Sequence, residues 1–294
     1  MPQAVYQCIP NFSEGRRKEV VLAIADAIQS VSGVRLIDYS ADTDHNRCVT
    51  TFLGNAEGVR AAALAAAQVA VAKIDMREHS GVHPRVGAID VLPVVPLRYA
   101  SREEAIALSY QIGEDLASQC GIPIYFYEWS AKEGRTSALP ALRKDGFEGQ
   151  VGRELVGGYA PDLGGTRVHA TAGITVVGAR PPLVAYNINL LSTDVSIAKA
   201  LAKRIRTERE SNPQWAGVRA LGLLLASQQR AQVSMNLTQP EKTPIPFIFD
   251  TVRLWARELG VAMYESEIIG AIPLTSLGGR PPDTLLWSAY RPTQ

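Results

Sequence analysis

The stretch "ITVVGARPPLVAYNINLLS", residues 174–192, decides how this chain divides. Apolar alternation returns here after a glycine-rich middle, and it reads as two strands around Arg180, Pro181 and Pro182. On its N-terminal side, "VYQCIPNF" is a first strand, and Val20, Ile24, Ala27, Ile28 and Val31 recur at helical spacing behind Ser13 as N-cap. "VRLIDYS" and "CVTTFLG" are strands on either side of the polar turn "ADTDHNR". An alanine-rich helix capped by Asn55 comes next. In "VGAIDVLPVVPL" the prolines place the strand at an edge or a strand end. Ser101 and Glu104 have capping-box spacing for a third helix, and "IPIYFYEWS" is a further strand. Between residues 131 and 173, rich in glycine and charge, short helical pieces and loops are expected. On the C-terminal side come a helix with Thr193 as N-cap, a strand pair in "GVRALGLLLASQQRAQVSMNL", a helix in "IPFIFDTVRLWARELG" and a last strand in "VAMYESEIIGAIP". Each half runs strand–helix–strand–strand–helix–strand. That order predicts α+β architecture, with helices on one face of each sheet and two subdomains meeting near residues 175–185.

Composition narrows the function class. Of 294 residues, 46% are hydrophobic and 20% charged, the profile of a folded chain, and the net charge of +1 gives no general pull toward nucleic acid or anionic membranes. Three scattered cysteines, Cys8, Cys48 and Cys120, make neither a disulfide framework nor a zinc site and fit a reducing cytoplasm. No signal peptide is visible at the N-terminus, and no window approaches the ~18 apolar residues of a membrane span.

The chemistry concentrates in three polar stretches. "DMREHSGVHPRVGAIDVLPVVP", residues 75–96, holds His79 and His83, two of only four histidines. On a helix their spacing would suit a shared metal, but Gly81 and Pro84 break a regular helix, and "HSGVH" lacks the glutamate of a metalloprotease motif. No metal is expected. His83 is framed by Glu78, Arg85 and Asp90, and an imidazole in such a loop can take or give a proton near neutral pH. In "DTDHNRCVTTF", Asp42, Asp44, His45, Asn46 and Arg47 gather at a strand entrance; they make an ordinary polar turn, or Arg47 serves as a carboxylate clamp. "PDLGGTRVHATAGITVVGARPP" combines glycines with Arg167, His169 and Arg180, and reads equally as a linker or as backbone shaped for a flat ligand. These residues by themselves name no reaction.

Taken together, "CIPNFSEGR", "DHNRCVTTFLG", "IDMREHSGVHPRVGAIDVLPVVP", "PDLGG", "TAGITVVGARPPLVAYNINL" and "QVSMNL" resemble the formiminotransferase family, the glutamate formimidoyltransferases, from about Tyr6 to about Pro273. The resemblance implies two ferredoxin-like α/β sandwich subdomains, residues 1–178 and 179–294, with folate in a cleft between them. It implies a homodimer acting in the cytoplasm on small molecules, not on nucleic acid or membrane. The expected form is the stand-alone transferase, without the cyclodeaminase domain of the bifunctional animal enzyme. The implied reaction, part of one-carbon and histidine metabolism, moves a formimidoyl group between N-formimidoyl-L-glutamate and N5 of tetrahydrofolate, the co-substrate. The alternatives are formyl transfer from 5-formyltetrahydrofolate to glutamate and a non-catalytic folate-binding protein. The family's catalytic histidine, second in H-x-G-x-H-P-R, matches His83. Its folate-binding segment matches Gly164, Gly165, Thr166, Arg167, Val168, His169, Ala170, Thr171, Ala172 and Gly173; the animal enzymes' tryptophan is Ala172 here, and His169 replaces an apolar residue. Their acidic residue two places after the equivalent of Asp38 is Ser40, so Asp42 or Asp44 would substitute. Arg47, Arg85 and Arg180 are expected carboxylate clamps, with Asp44, Asn46 and Asp90 as orienting neighbours.

Overall fold

Ile9 and Pro10 break the first apolar run into two strands, β1 (Tyr6–Cys8) and β2 (Asn11–Phe12). Helix α1 (Lys18–Gln29), strands β3 (Arg35–Asp42) and β4 (Arg47–Gly54), helix α2 (Ala56–Lys73) and strand β5 (Ile89–Pro96) follow. Then come α3 (Arg102–Cys120), β6 (Ile124–Phe126), the short α4 (Leu139–Leu142) and α5 (Gly146–Gln150), and β7 (Thr175–Ala179). The computed structural model describes residues 3–269, 272 and 274–286. The chain separates into two units, Met1–Pro181 and Pro182–Gln294.

In the first unit the sheet runs β3, β4, then β1 and β2 in line, then β5, β7 and β6. Its pairings are antiparallel as far as β5 and parallel from β5 through β7 to β6. A parallel pair needs a long crossover, and α3 supplies it between β5 and β6. Strand β5 is therefore interior, which corrects the edge alternative; of its prolines Pro96 does stand at the strand end, while Pro93 lies in mid-strand. The reason is local: β1 pairs residues 94–96, β2 pairs Ile89 and Val91, and Pro93 faces the break at Ile9, whose N–H donates to the Pro93 carbonyl. A missing ladder donor is tolerated where the partner strand is itself interrupted. Six small residues of α2, Gly58, Ala62, Ala63, Ala66, Ala67 and Ala70, are buried, so α2 packs closely between α1 and α3.

Two of the four expected N-caps are found in place. Asn55 Oδ1 accepts from the Gly58 N–H, and Ser101 and Glu104 make a complete capping box. Ser13 does not cap α1; its hydroxyl donates to the Gly87 carbonyl, and Glu14 accepts from the Arg16 and Arg17 N–H groups at the helix entrance. The cap of the sixth helix is Asp194, one residue past Thr193, accepting from Ser196 N–H at 2.8 Å.

The second unit contains β8 (Val184–Leu190), α6 (Val195–Ser211), β9 (Val218–Leu225), β10 (Arg230–Leu237), α7 (Ile245–Glu258) and β11 (Met263–Ile269). Its sheet has the order β11-β8-β10-β9, antiparallel throughout. Tyr186, Ile188 and Leu190 face a core with Ile205, Trp215, Phe249 and Trp255. The strands on either side of the double proline, β7 and β8, thus belong to different sheets. Residues 270, 271 and 273 of the expected last strand, and 287–294 of the expected second subdomain, lie outside the described residues. Both units are mixed α/β, each built on one sheet.

Candidate active site

The β3–β4 turn positions the site. Asn46 has φ 46°, in the left-handed region that asparagine tolerates better than most residues. Its Oδ1 accepts from the Gly15 N–H at 2.9 Å, its Nδ2 donates to the Ser80 carbonyl at 3.0 Å, and its own carbonyl accepts from His79 Nε2 at 2.8 Å. One buried asparagine therefore ties the first loop and the histidine loop to the turn. Gly81 is required by the same closeness, since a Cβ there would lie 2.3 Å from the His45 carbonyl oxygen.

The two loop histidines have different employment. His79 donates through Nε2 to Asn46 and accepts at Nδ1 from Arg85 Nε, 2.9 Å away, so neither nitrogen is left for a metal or a substrate. Burial, with the nearby Arg85 charge, pushes its pKa below the ordinary value and keeps it neutral. His83 Nε2 accepts from Arg47 Nη1 at 3.0 Å, which puts the imidazole proton on Nδ1. Burial, then Arg47, Arg143 and His45, hold the His83 pKa well below 6.5. The His45 ring lies 6.0 Å from the His83 ring, tilted by 54°, and is fixed by Asp42, whose Oδ1 lies 2.8 Å from His45 Nδ1. Burial alone would raise the Asp42 carboxyl, but hydrogen bonds from the His45 side chain and N–H outweigh it and leave it lowered. Asp42 thus belongs to His45.

An arginine, not a carboxylate, holds the His83 ring. Asp90 is buried, and its carboxylate accepts from the Val86 N–H at 3.0 Å and pairs with Arg143 through both oxygens. Glu78 is exposed. Arg47 also donates to Asn11 Oδ1 at 3.3 Å; burial and the Arg143 charge push its pKa down to about 10, so it stays cationic at neutral pH. Arg85 forks onto Glu148 at 2.5 and 2.9 Å and donates to the His79 carbonyl. Ser13, His45, Asn46, Arg47, His79, His83, Arg85 and Asp90 line one pocket. Arg180 and Asp44 are not in that lining. Arg180 is buried beside the Tyr127 hydroxyl and donates to the Pro181 carbonyl, and Asp44 offers its carbonyl to the Val82 N–H. Sequence patterns do not single out Asn11, Arg143 or Glu148; Arg143 and Glu148 lie in the glycine-rich middle, where no periodicity marks them.

The glycine segment is laced to the histidine loop through backbone. Thr171 and Ala172 carbonyls accept from Met76 and Ala88 N–H at 2.8 Å, and Val86 accepts from Ile174. Gly173, with φ 73°, touches this seam: a Cβ would sit 2.2 Å from the Val86 carbonyl oxygen. His169 Nδ1 accepts from the Ala172 and Thr171 N–H groups at 3.0 and 3.3 Å, closing its own turn. The Thr166 carbonyl accepts from the Leu155 N–H, Arg167 pairs with Glu154 through a backbone β-bridge, and Val168 is half-buried. Gly164, Gly165, Thr166, Arg167 and Ala170 are exposed. Among the described residues no helix is long and apolar enough to cross a membrane, and no three His, Cys, Asp or Glu side chains are grouped to hold a metal.

The chain's matches to known proteins cover both units. Residues 5–180 match the formiminotransferase domain, N-terminal subdomain, and residues 185–279 match the formiminotransferase domain. A glutamate formimidoyltransferase of Streptococcus pyogenes serotype M1 is 40% identical over 273 residues, 93% of this chain and 90% of that protein. One of Thermoplasma acidophilum is 38% identical over 276 residues, with the same coverage. The formimidoyltransferase-cyclodeaminase of Rattus norvegicus is 37% identical over 274 residues, and the chain spans 50% of its length.

Proposed function

The chain belongs to the formiminotransferase family, and from that premise we propose that it is a glutamate formimidoyltransferase working through His83. The observation that carries the reading is a neutral imidazole, its Nε2 against Arg47, in a pocket of the family's N-terminal subdomain. N5 of tetrahydrofolate attacks the formimidoyl carbon of N-formimidoyl-L-glutamate. The N5–C bond forms, the bond from carbon to the glutamate nitrogen breaks, and the N5 proton passes through His83 to the leaving nitrogen. Neutral His83 is ready to accept that proton, and the neighbouring positive charges make its protonated form a ready donor. Arg47 turns from the ring to a substrate carboxylate, which frees Nε2; its planar fork suits that contact. Arg85 and Arg180 are further clamps for the carboxylates of glutamate and folate. Asp90 acts through Arg143 rather than on the ring. Residues 164–173 supply backbone and glycine contacts to folate.

The same proposal includes ferredoxin-like subdomains with a folate cleft. The β11-β8-β10-β9 order of the second unit, with its two helices, supports it. The division at 1–178 and 179–294 is supported by the break after Pro181. A homodimer, a cytoplasmic setting and a reaction without metal complete it. The test is to incubate the protein with tetrahydrofolate and N-formimidoyl-L-glutamate, and separately with 5-formyltetrahydrofolate and glutamate, without added metal. The first pair should react faster. A faster second pair would make it a formyltransferase, and no turnover with either would make it a binding protein.

A further inference from the structure

Three arginines stand around the histidine loop, and they differ in their partners. Arg85 forks onto Glu148, and Arg143 onto Asp90. Arg47 donates to two neutral acceptors, Asn11 Oδ1 and His83 Nε2, and enters no ion pair among the described residues. Yet a carboxylate is close: Asp90 lines the same pocket as Arg47, and its charge acts on that guanidinium. The Asp90 side chain is 2% exposed, and a carboxylate so buried needs a cation. Two arginines therefore compete for one acid.

Local structure decides between them. Leu139 and Leu142 of α4 pack on the small core of Val86, Val91, Tyr125 and Leu155, which seats Arg143 at the C-terminal cap of that helix. Phe147, just beyond, is buried, and its N–H donates to the Arg85 carbonyl at 3.1 Å. The segment is thus fastened on both sides of Arg143, whose Nε and Nη2 take one Asp90 oxygen each. Arg143 is itself outside the pocket lining, so it acts there only through Asp90.

We propose that Arg143 is a positioning residue: by holding Asp90 it keeps that carboxylate from Arg47, which stays open to a carboxylate of N-formimidoyl-L-glutamate. This rests on the transferase reading above. In tetrahydrofolate the carboxylates lie far from N5. In N-formimidoyl-L-glutamate a single carbon separates one carboxylate from the nitrogen that His83 serves. A cation against His83 Nε2 is placed for that one.

The test is Arg143→Gln, alone and combined with Asp90→Asn. In a crystal structure of the single variant, Arg47 should leave His83 Nε2 for the Asp90 carboxylate, a readout that needs no activity. The KM for N-formimidoyl-L-glutamate should rise by about tenfold to a hundredfold, the range for a lost charge-assisted contact, with a smaller change in kcat. With Asp90→Asn added, Arg47 has no acid to take, and KM should return to within about threefold of the unaltered protein. Arg143→Lys keeps a cation on Asp90 and should stay within the same limit. A merely structural Arg143 gives a double variant no better than the single. That result overturns the proposal, as does Arg47 still on His83 in the single variant, or a KM for Arg143→Lys as high as for Arg143→Gln. A single variant that does not fold, beside a double variant that does, overturns it too, because Arg47 is then unable to take Asp90. An unaltered protein without turnover, whose Arg143→Gln variant still places Arg47 on Asp90, overturns the transferase reading and supports the hold of Arg143 on Asp90.

Discussion

The histidine loop and the glycine segment, residues 75–90 and 164–173, contain the same residue types and use them in opposite ways. In the glycine segment His169 closes its own turn, and the contacts to the neighbouring loop are made by backbone. In the histidine loop those demands are met by others. Asn46 and His79 hold the chain, Gly81 lets it approach, and His83 keeps its ring for the pocket. A polar loop side chain becomes available for chemistry when neighbouring groups have already satisfied the backbone around it.

Three tests, with four substitutions between them, should break or sharpen that contrast, from the largest effect to the smallest. Asp90→Ala leaves Arg143 half-buried beside Arg47 with its carboxylate gone, and should cost about 3–5 kcal/mol, read as a lower urea midpoint. A loss under about 1 kcal/mol would mean that Asp90 does not anchor the pocket. His83→Ala should cut turnover by about a hundredfold or more while folate binding stays near that of the unaltered protein; near-normal turnover removes His83 from the reaction. The same variant carries a pH signature. The folded His83 pKa is depressed, so the unfolded chain binds more protons in the acid range. The neutral ring's contribution to stability is therefore complete above about pH 6.5 and is lost as pH falls toward the folded pKa. His83→Ala should flatten that part of the stability–pH curve. The third test is a pair. His79→Ala removes hydrogen bonds to Asn46 and Arg85 and should cost about 1–3 kcal/mol with a smaller fall in turnover than His83→Ala. His169→Ala removes only a turn closure and should cost about 0.5–1.5 kcal/mol with turnover unchanged. A larger turnover effect from His169 than from His79 would reverse the assignment of the two regions.

Local patterns make most of the elements legible in the sequence. The capping box at Ser101 and Glu104 and the Asn55 cap are short-range signals that the chain obeys; the second unit keeps the expected strand–helix–strand–strand–helix–strand order, whereas the first adds β2, α3, β6, α4, α5 and β7 to it. Pro93 misleads because its meaning depends on the partner strand: the break at Ile9 and Pro10 makes an interior place acceptable. Ser13 misleads because its hydroxyl finds Gly87, a partner 74 residues on, and Glu14 takes over the helix entrance.

The sequence by itself determined the order of elements, the two halves and the presence of His83 in a loop rich in charge, since these depend on neighbours a few residues apart. Tertiary structure decided that Arg47, 36 residues away, holds the His83 ring, and that Asp90 is spent on Arg143, 53 residues on. It also decided that His79 is fully engaged and that His83 is neutral. Hydrogen-bond partners and the burial that depresses a pKa are set by which segments the sheet brings together, and no local spacing records them.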